Sequence, residues 1–369
     1  MTKSQKFGQK SLHTLLSIAM VFVLPIFGLI RLFGKLIGKK LLWFEGKKGK
    51  NAVSQFLIDE WIGESGHAQN HRVFVYFLFP SLGTFLLFVI TPFIHGIYLS
   101  MTDWTGLNTG RETFVGLDNY VTIFSDYRFL YSFWRTILYS GLNIIAINIV
   151  AFLLALLVTM NLKFKNVYRA GFFMPNLIGG LVLGYIWQFI YNKALTSFGG
   201  VLATSLLVNG STTLIGLIIV VTWQYAGYIM MIYIAAIQNI PLDLVEASKI
   251  DGAGAFQRLK LITLPLVAQA FTVALFLTLI TSFKQFDTVM SLSQGGPATL
   301  LPQWFGNLFG LDAMPAVQST NLVAINIYQT AFSNYQLGVG QAKAIVFFLI
   351  LVIVSLLQVS HNKKKEIEL

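Results

Sequence analysis

No cysteine occurs anywhere in the chain, so disulfides, thiolate nucleophiles and cysteine metal ligands are excluded. Charge is scarce as well. Asp, Glu, Lys and Arg make up 11% of the residues, against about 25% in a typical soluble domain. The five histidines, His13, His67, His71, His95 and His361, are scattered. His67 and His71 stand four apart, but no further ligand lies close by, so no metal site is expected. Gly28 to Lys35 superficially suggests a phosphate-binding loop, but the spacing is wrong and Leu36 stands where Ser or Thr is needed. No nucleophile and base can be paired. The chain is therefore expected not to hydrolyse ATP and to bind no cofactor of its own.

What is abundant is apolar. Hydrophobic residues make up 55% of the chain, Phe alone numbers 32, and the mean hydropathy is +0.69. Such a chain spends its length on membrane spans rather than on soluble domains. The net charge is +11. Its Lys and Arg flank apolar segments, as the positive-inside rule requires, and no basic face with interleaved aromatics suggests nucleic acid.

Apolar segments cover about 73–99, 134–160, 170–191, 212–236, 261–283 and 342–360. Each approaches the roughly 20 residues a helix needs to cross the hydrocarbon core. The runs are too long and continuous for barrel strands, so the fold class is all-α, a polytopic membrane helix bundle with six core spans. Loop charge orients it. Lys35, Lys39, Lys40, Lys47, Lys48, Lys50 and Arg72 precede the first core span, Lys163, Lys165 and Arg169 follow the second, and Lys363, Lys364 and Lys365 end the chain. These belong inside. The stretch 100–133 carries Asp103, Glu112, Asp118 and Asp126 against Arg111 and Arg128, and belongs outside. Alternation then places 237–260 in the cytoplasm.

Residues 1–72 form an N-terminal extension, 73–360 the membrane domain, and 361–369 a basic cytoplasmic tail. Within the extension, 14–30 is apolar and 32–44 amphipathic. A signal peptide lacks its small-residue cleavage site there. An extra N-terminal span is favoured over a helix lying in the interface, because the basic cluster at 31–50 outweighs Lys3, Lys6 and Lys10.

Between two apolar segments, residues 240–265 include Glu246-Ala247-Ser248, Asp251-Gly252-Ala253, Phe256 and Ile262-Thr263-Leu264-Pro265. This pattern resembles the EAA loop of ABC import permeases, the cytoplasmic element that docks into an ATPase subunit. Ser248 replaces the third small residue and Leu259 stands where Phe is frequent; the spacing is intact. The resemblance continues over about 73–360. Ser100-Met101-Thr102-Asp103-Trp104, Phe114-Val115-Gly116-Leu117-Asp118-Asn119-Tyr120, Phe173-Met174-Pro175, Gly295-Gly296-Pro297 and Tyr328-Gln329-Thr330-Ala331-Phe332 are similar to the maltose and glycerol-3-phosphate branch. Gly179 stands where that branch usually has proline, Gln294 precedes the Gly-Gly-Pro, and 298–322 is longer than usual. The resemblance implies a type I importer permease in the cell membrane. Its partners would be a second homologous permease, two ATPase subunits that hold ATP and Mg²⁺, an extracellular solute-binding protein and the lipid bilayer.

Local physics in the docking loop agrees with that reading. Pro241 rigidifies the entry, and 242–250 lacks Gly and Pro and reads as a short helix with Asp243 near its positive end. Ala247 and Ser248 are small enough for close approach. Gly252 can adopt positive φ and turn the chain. Leu264 and Pro265 open the next span, where a missing backbone donor is cheapest.

Sugars are held by aromatic faces and by groups that hydrogen-bond hydroxyls. Trp223, Gln224, Tyr225 and Tyr228 lie mid-span, where interfacial belt residues do not belong, and are candidates for a substrate path. Interhelical packing is the competing reading. By resemblance, the span ending at Phe283 contributes too. Lys284 and Asp287 are three apart and predict a mutual ion pair on one helical face. Gly171, Gly179, Gly180 and Gly184 predict close helix packing. Trp187 and Tyr191 read as interfacial anchors. The leading function is an ABC importer permease for a carbohydrate, with an oligosaccharide favoured. Glycerol phosphate or another polar solute stays open, and so does an ion-coupled secondary transporter. The last needs buried carboxylates that the spans almost entirely lack.

Overall fold

The computed structural model describes residues 78–107, 110–160, 162–200 and 203–363. The expected N-terminal span, the interfacial run, the basic segment before the first core span and the end of the tail lie outside them. The chain divides into two units at Gly96 and Ile97.

Helix α1, Leu78–Leu99, is apolar and mostly exposed. In the second unit, α2 (Asp118–Ser125) leads into α3 (Tyr127–Thr159), whose first turn is capped by the Asp126 carboxylate accepting from the Arg128 N–H at 2.9 Å. A bent pair follows, α4 (Lys165–Leu177) and α5 (Gly180–Phe198). Then come α6 (Gly210–Gln238), α7 (Leu242–Ile250), and a second bent pair, α8 (Ala255–Leu266) and α9 (Ala268–Phe283). Helix α10 (Asp287–Ser293), strand β1 (Ala298–Leu300), α11 (Gln303–Leu308), β2 (Ala316–Gln318) and α12 (Val323–Tyr328) form a long connection to α13, Leu337–Lys363.

Four described helices are long and apolar enough to cross a membrane, or up to six if each bent pair is one span. The all-α bundle holds, with a two-stranded antiparallel ribbon added in the long connection. Two spans need correction. The segment 170–191 is not one helix. Met174–Leu177, with Pro175 inside it, tightens to a 3₁₀ turn, Ile178 and Gly179 are extended, and the axis turns by 98°. The segment 261–283 bends by 69° at Val267. Val267, with ψ 8, leaves helical geometry there, and Pro265 just before it lacks an N–H and crowds the carbonyl four residues back, which disturbs the preceding turn. Leu259–Thr263 widens to a π turn, in which the Leu264 N–H reaches the Leu259 carbonyl. Pro265 thus lies beside the bend rather than in the first turns of a straight span, which begins at Ala268.

The core forms where α6 packs against α3 along most of its length. Ala151, Ala155, Val158, Leu217, Val220 and Met230 are fully buried there. Polar side chains bind the helices to one another. Tyr233 donates to Asn148 Oδ1 at 2.6 Å, Asn148 donates to Thr278 Oγ1 at 3.0 Å, and Asn143 donates to Ser282 Oγ at 2.8 Å. In hydrocarbon, where water cannot compensate, such bonds hold α3, α6 and α9 in register. Gly227 lets α6 meet α4 backbone to backbone, since a Cβ there would overlap the Phe172 carbonyl. Gly180 and Gly184 give α10 the same close approach at Thr288 and Ser291, whereas Gly171 and Gly179 face open space and do not serve packing.

The outer motif residues lock a loop. Asn119 donates to the Ser100 and Thr102 carbonyls, each at 2.8 Å, and Ser100 shares a 2.7 Å hydrogen bond with Tyr120. The Gly338 N–H donates to Trp104 O at 2.7 Å, so the start of α13 is fastened to the same loop.

Candidate functional site

Residues 241–258 fold as a self-contained element. Pro241 sits before α7 with ψ 129, and Asp243 occupies the first turn. At the other end Gly252 has φ +77. Its N–H donates to Lys249 O at 3.1 Å, and the Ala253 N–H donates to Ser248 O at 2.9 Å. These two bonds are the paired closure of a left-handed helix cap. Beyond it, the Gly254 N–H donates to Gln257 Oε1 at 2.8 Å and Arg258 donates to the Ala253 carbonyl, fixing the angle at which α8 leaves.

The exposed face of this element is unusually apolar for a polar-looking loop. Leu242 is 74% exposed, Ile250 87% and Phe256 75%. Glu246, Ala247, Asp251 and Gly252 are exposed beside them, and Ala253 is half-buried. Ser248 differs from expectation. It is buried, and its hydroxyl donates to Val245 O at 2.7 Å, so of the two small residues only Ala247 lies on the approachable face. Leu264 is partly exposed and Pro265 half-buried.

The mid-span candidates separate. Gln224 is buried, and its amide donates to Ile178 O at 3.1 Å. That carbonyl is left without a helical partner by the break between α4 and α5, so Gln224 satisfies the bend. Among the described residues its Oε1 has no partner. Gln224→Ala leaves the Ile178 carbonyl unpaired in an apolar interior, at a cost of about 1–3 kcal/mol. A lower unfolding midpoint in detergent is the expected result; a midpoint unchanged from wild type would show that the bond carries no weight. Trp223 is exposed and meets Trp187 edge-on at 5.6 Å, and Trp187 in turn packs on Tyr191. Tyr225 and Tyr228 are half-buried.

At the end of α9, Phe283 is buried and stacks on Phe347 of α13 at 6.3 Å, which makes it a packing residue. The predicted Lys284–Asp287 pair does not form among the described residues. Helix α9 ends at Phe283, Lys284 is its cap, and Asp287 begins α10, so the two never share a helical face. Both are exposed.

One site was missed in the sequence. Lys343 of α13 is 3% exposed. Its ammonium donates to Asp126 Oδ2 at 2.9 Å, Asn326 Oδ1 at 2.9 Å and Thr330 Oγ1 at 3.0 Å, and lies 5.2 Å from the centroid of the Phe129 ring. It borders an outer cleft of about 690 Å³. The legible signal was a lone charge inside the last apolar segment, which by default marks a paired or working group.

Comparison with known proteins bears on these elements. The profile of the family described as "Binding-protein-dependent transport system inner membrane component" matches residues 120–366. The chain is 42% identical to the "Probable starch degradation products transport system permease protein AmyD" of Thermoanaerobacterium thermosulfurigenes, over 79% of this chain and 94% of that one. It is 28% identical to the "Multiple sugar-binding transport system permease protein MsmF" of Streptococcus mutans, over 79% and 95% of the two chains. In fold it is similar to a chain of a bacterial ABC transporter involved in the import of the acidic polysaccharide alginate. The TM-score is 0.64 at 18% identity, covering 85% of this chain and 99% of that one.

Proposed function

Since the chain belongs to the family of binding-protein-dependent transport system inner membrane components, we propose that it forms half of the translocation path of an ATP-driven carbohydrate importer, with an oligosaccharide as cargo. The observation that carries the coupling part is the exposed apolar ridge of Leu242, Ile250 and Phe256 around a rigidly capped helix. Apolar groups held in place on a cytoplasmic loop fit insertion into a partner's cleft. The partners are a second permease, two ATPase subunits that hold ATP and Mg²⁺, and an external binding protein. The carbohydrate part is supported by the starch-product and multiple-sugar relatives.

Within the bundle, Trp223, Tyr225 and Tyr228 are the path candidates, and Lys284 and Asp287 stand near its outer end. Gln224 and Phe283 support the path by fixing the helices around it. Tyr228→Phe keeps the ring that packs on the core and removes the hydroxyl, so it should lower uptake without lowering the unfolding midpoint. Reconstitution tests the whole reading. The chain alone should hydrolyse no ATP, while the chain with second permease, ATPase and binding protein in liposomes should take up maltotriose only with ATP inside. ATP hydrolysis by the purified chain, with contaminating ATPase excluded, would refute the division of labour. An assembled complex that moves no neutral sugar would refute the substrate class.

A further inference from the structure

The outer cleft lies between the start of α3, strand β2, helix α12 and the start of α13. Its volume falls in the range of about 300–1,000 Å³ usual for small-molecule sites. Its lining mixes polar and apolar surface, with Ala316, Val317 and Tyr131 beside six carboxamides: Gln318, Asn321, Asn326, Gln329, Asn334 and Gln336. The hydroxyls of Tyr127, Ser132 and Ser333 join them.

The two charges deep in the cleft, Lys343 and Asp126, are spent on each other. Lys343 has three acceptors for its three protons. Asp126 answers Lys343 with one oxygen and the Arg128 N–H with the other. Arg128 donates through Nε to the Tyr127 hydroxyl at 3.1 Å and remains at the exposed rim. What stays available inside the cleft is neutral, chiefly the Asn334 and Gln336 amides and the Ser333 hydroxyl, each able to meet a hydroxyl as donor or acceptor, while the Arg128 guanidinium stays charged at the rim.

The cleft is also rigid. Gln329 donates to Gln318 Oε1 at 2.9 Å, and Asn321 donates to Gln329 Oε1 at 2.9 Å, which fixes three amides against one another. Arg135 donates to Ser319 O at 2.7 Å and the Val323 N–H donates to Thr136 Oγ1 at 2.8 Å, bolting the β2 end of the wall to α3. At the rim Tyr335 has φ 56, a backbone region that bulky residues rarely enter. The turn it makes brings its neighbours Asn334 and Gln336 both to the cleft lining. Strain of this kind persists where surrounding structure holds it, and such places are enriched in binding sites.

We propose that this outer cleft is a binding site for a neutral saccharide of two or three units, formed by the carboxamides of residues 318–336 and separate from the mid-span Trp223–Tyr228 group. It deepens the carbohydrate reading and rests on it. A neutral polyol fits because it offers hydroxyls to amides and demands no free charge. An anion would have to compete with Asp126 for Lys343 or stay at the rim with Arg128, away from the amides.

The test uses the full chain with its second permease and ATPase in nanodiscs, without binding protein, titrated with maltotriose and separately with glycerol 3-phosphate. Maltotriose should bind saturably. The double variant Asn334→Ala/Gln336→Ala removes exposed rim amides that carry no packing load, so it should fold normally and weaken maltotriose at least about tenfold. The double substitution should weaken maltotriose by the same factor in a Tyr228→Phe background, as two separate sites require. Wild-type affinity in the double variant, tighter binding of glycerol 3-phosphate than of maltotriose, or no saturable sugar binding would each overturn the site. Uptake of maltotriose by the assembled transporter separates the two readings. Uptake that survives with an inert cleft refutes the site alone, whereas absence of any neutral-sugar uptake refutes the carbohydrate reading.

Discussion

Glu246→Lys and Gly252→Pro should each leave the chain inserted in the membrane and abolish most ATP-driven uptake. The two act on different parts of one element. Glu246 lies on the exposed face of α7, so reversing its charge changes the docking surface and not the fold. A central contact in a protein interface is typically worth about 2 kcal/mol or more, which is about a thirtyfold loss of docking affinity. Gly252 acts through the backbone. Its φ of +77 is closed to proline, whose ring holds φ near −65°, and proline also lacks the N–H that reaches Lys249 O. The cap then opens, and the angle between α7 and α8 is lost. Membrane yield and gel-filtration profile should match wild type, while ATPase co-purification and uptake should both fall. Wild-type uptake by either variant, with the ATPase bound normally, would remove the coupling role from this loop.

Helix α7 was legible because its boundaries are local. Pro241 and Gly252 bracket a stretch without breakers, and the structure has a helix from Leu242 to Ile250. The long spans were legible as apolar length, but their bends were not. Apolar runs register total length and are blind to direction. The 98° turn at Ile178 and Gly179 therefore read as continuous helix. Pro175 and Pro265 were visible, but a proline alone does not say whether a helix kinks, widens to a π turn or stops. The Lys284–Asp287 expectation failed for the same reason: spacing of three is a contact only inside one helix. Gln224 was read for its chemistry toward a solute, whereas its donor serves the Ile178 carbonyl, a group whose need exists only once the bend is known. The outer cleft was least legible. Its amides sit in what reads as loop, and the residues that define it, Asp126 and Lys343, are 217 positions apart.

Lys343→Ala should cost the second-largest amount, through stability. The ammonium is nearly fully buried at the outer end of α13, and Asp126 is the cap of α3. Removing the lysine leaves a carboxylate without its counter-charge and two further acceptors, Asn326 Oδ1 and Thr330 Oγ1, without their donor. Asp126 is 29% exposed toward the cleft and keeps part of its hydration, so the expected loss is about 1–3 kcal/mol, set mainly by the two buried acceptors left without a donor. The same reasoning fixes the control. Asp126→Asn/Lys343→Met removes both charges, retains a side chain that can cap α3, and fills the volume of the lysine stem, so it should recover the part of the loss that the unpaired charge causes. Unfolding midpoints in detergent decide the matter, read beside protease access to the start of α13. If Lys343→Ala melts with wild type, the pair is ornamental. If the double variant melts as low as the single, none of the loss comes from an unpaired charge, and the electrostatic account of this outer junction is wrong.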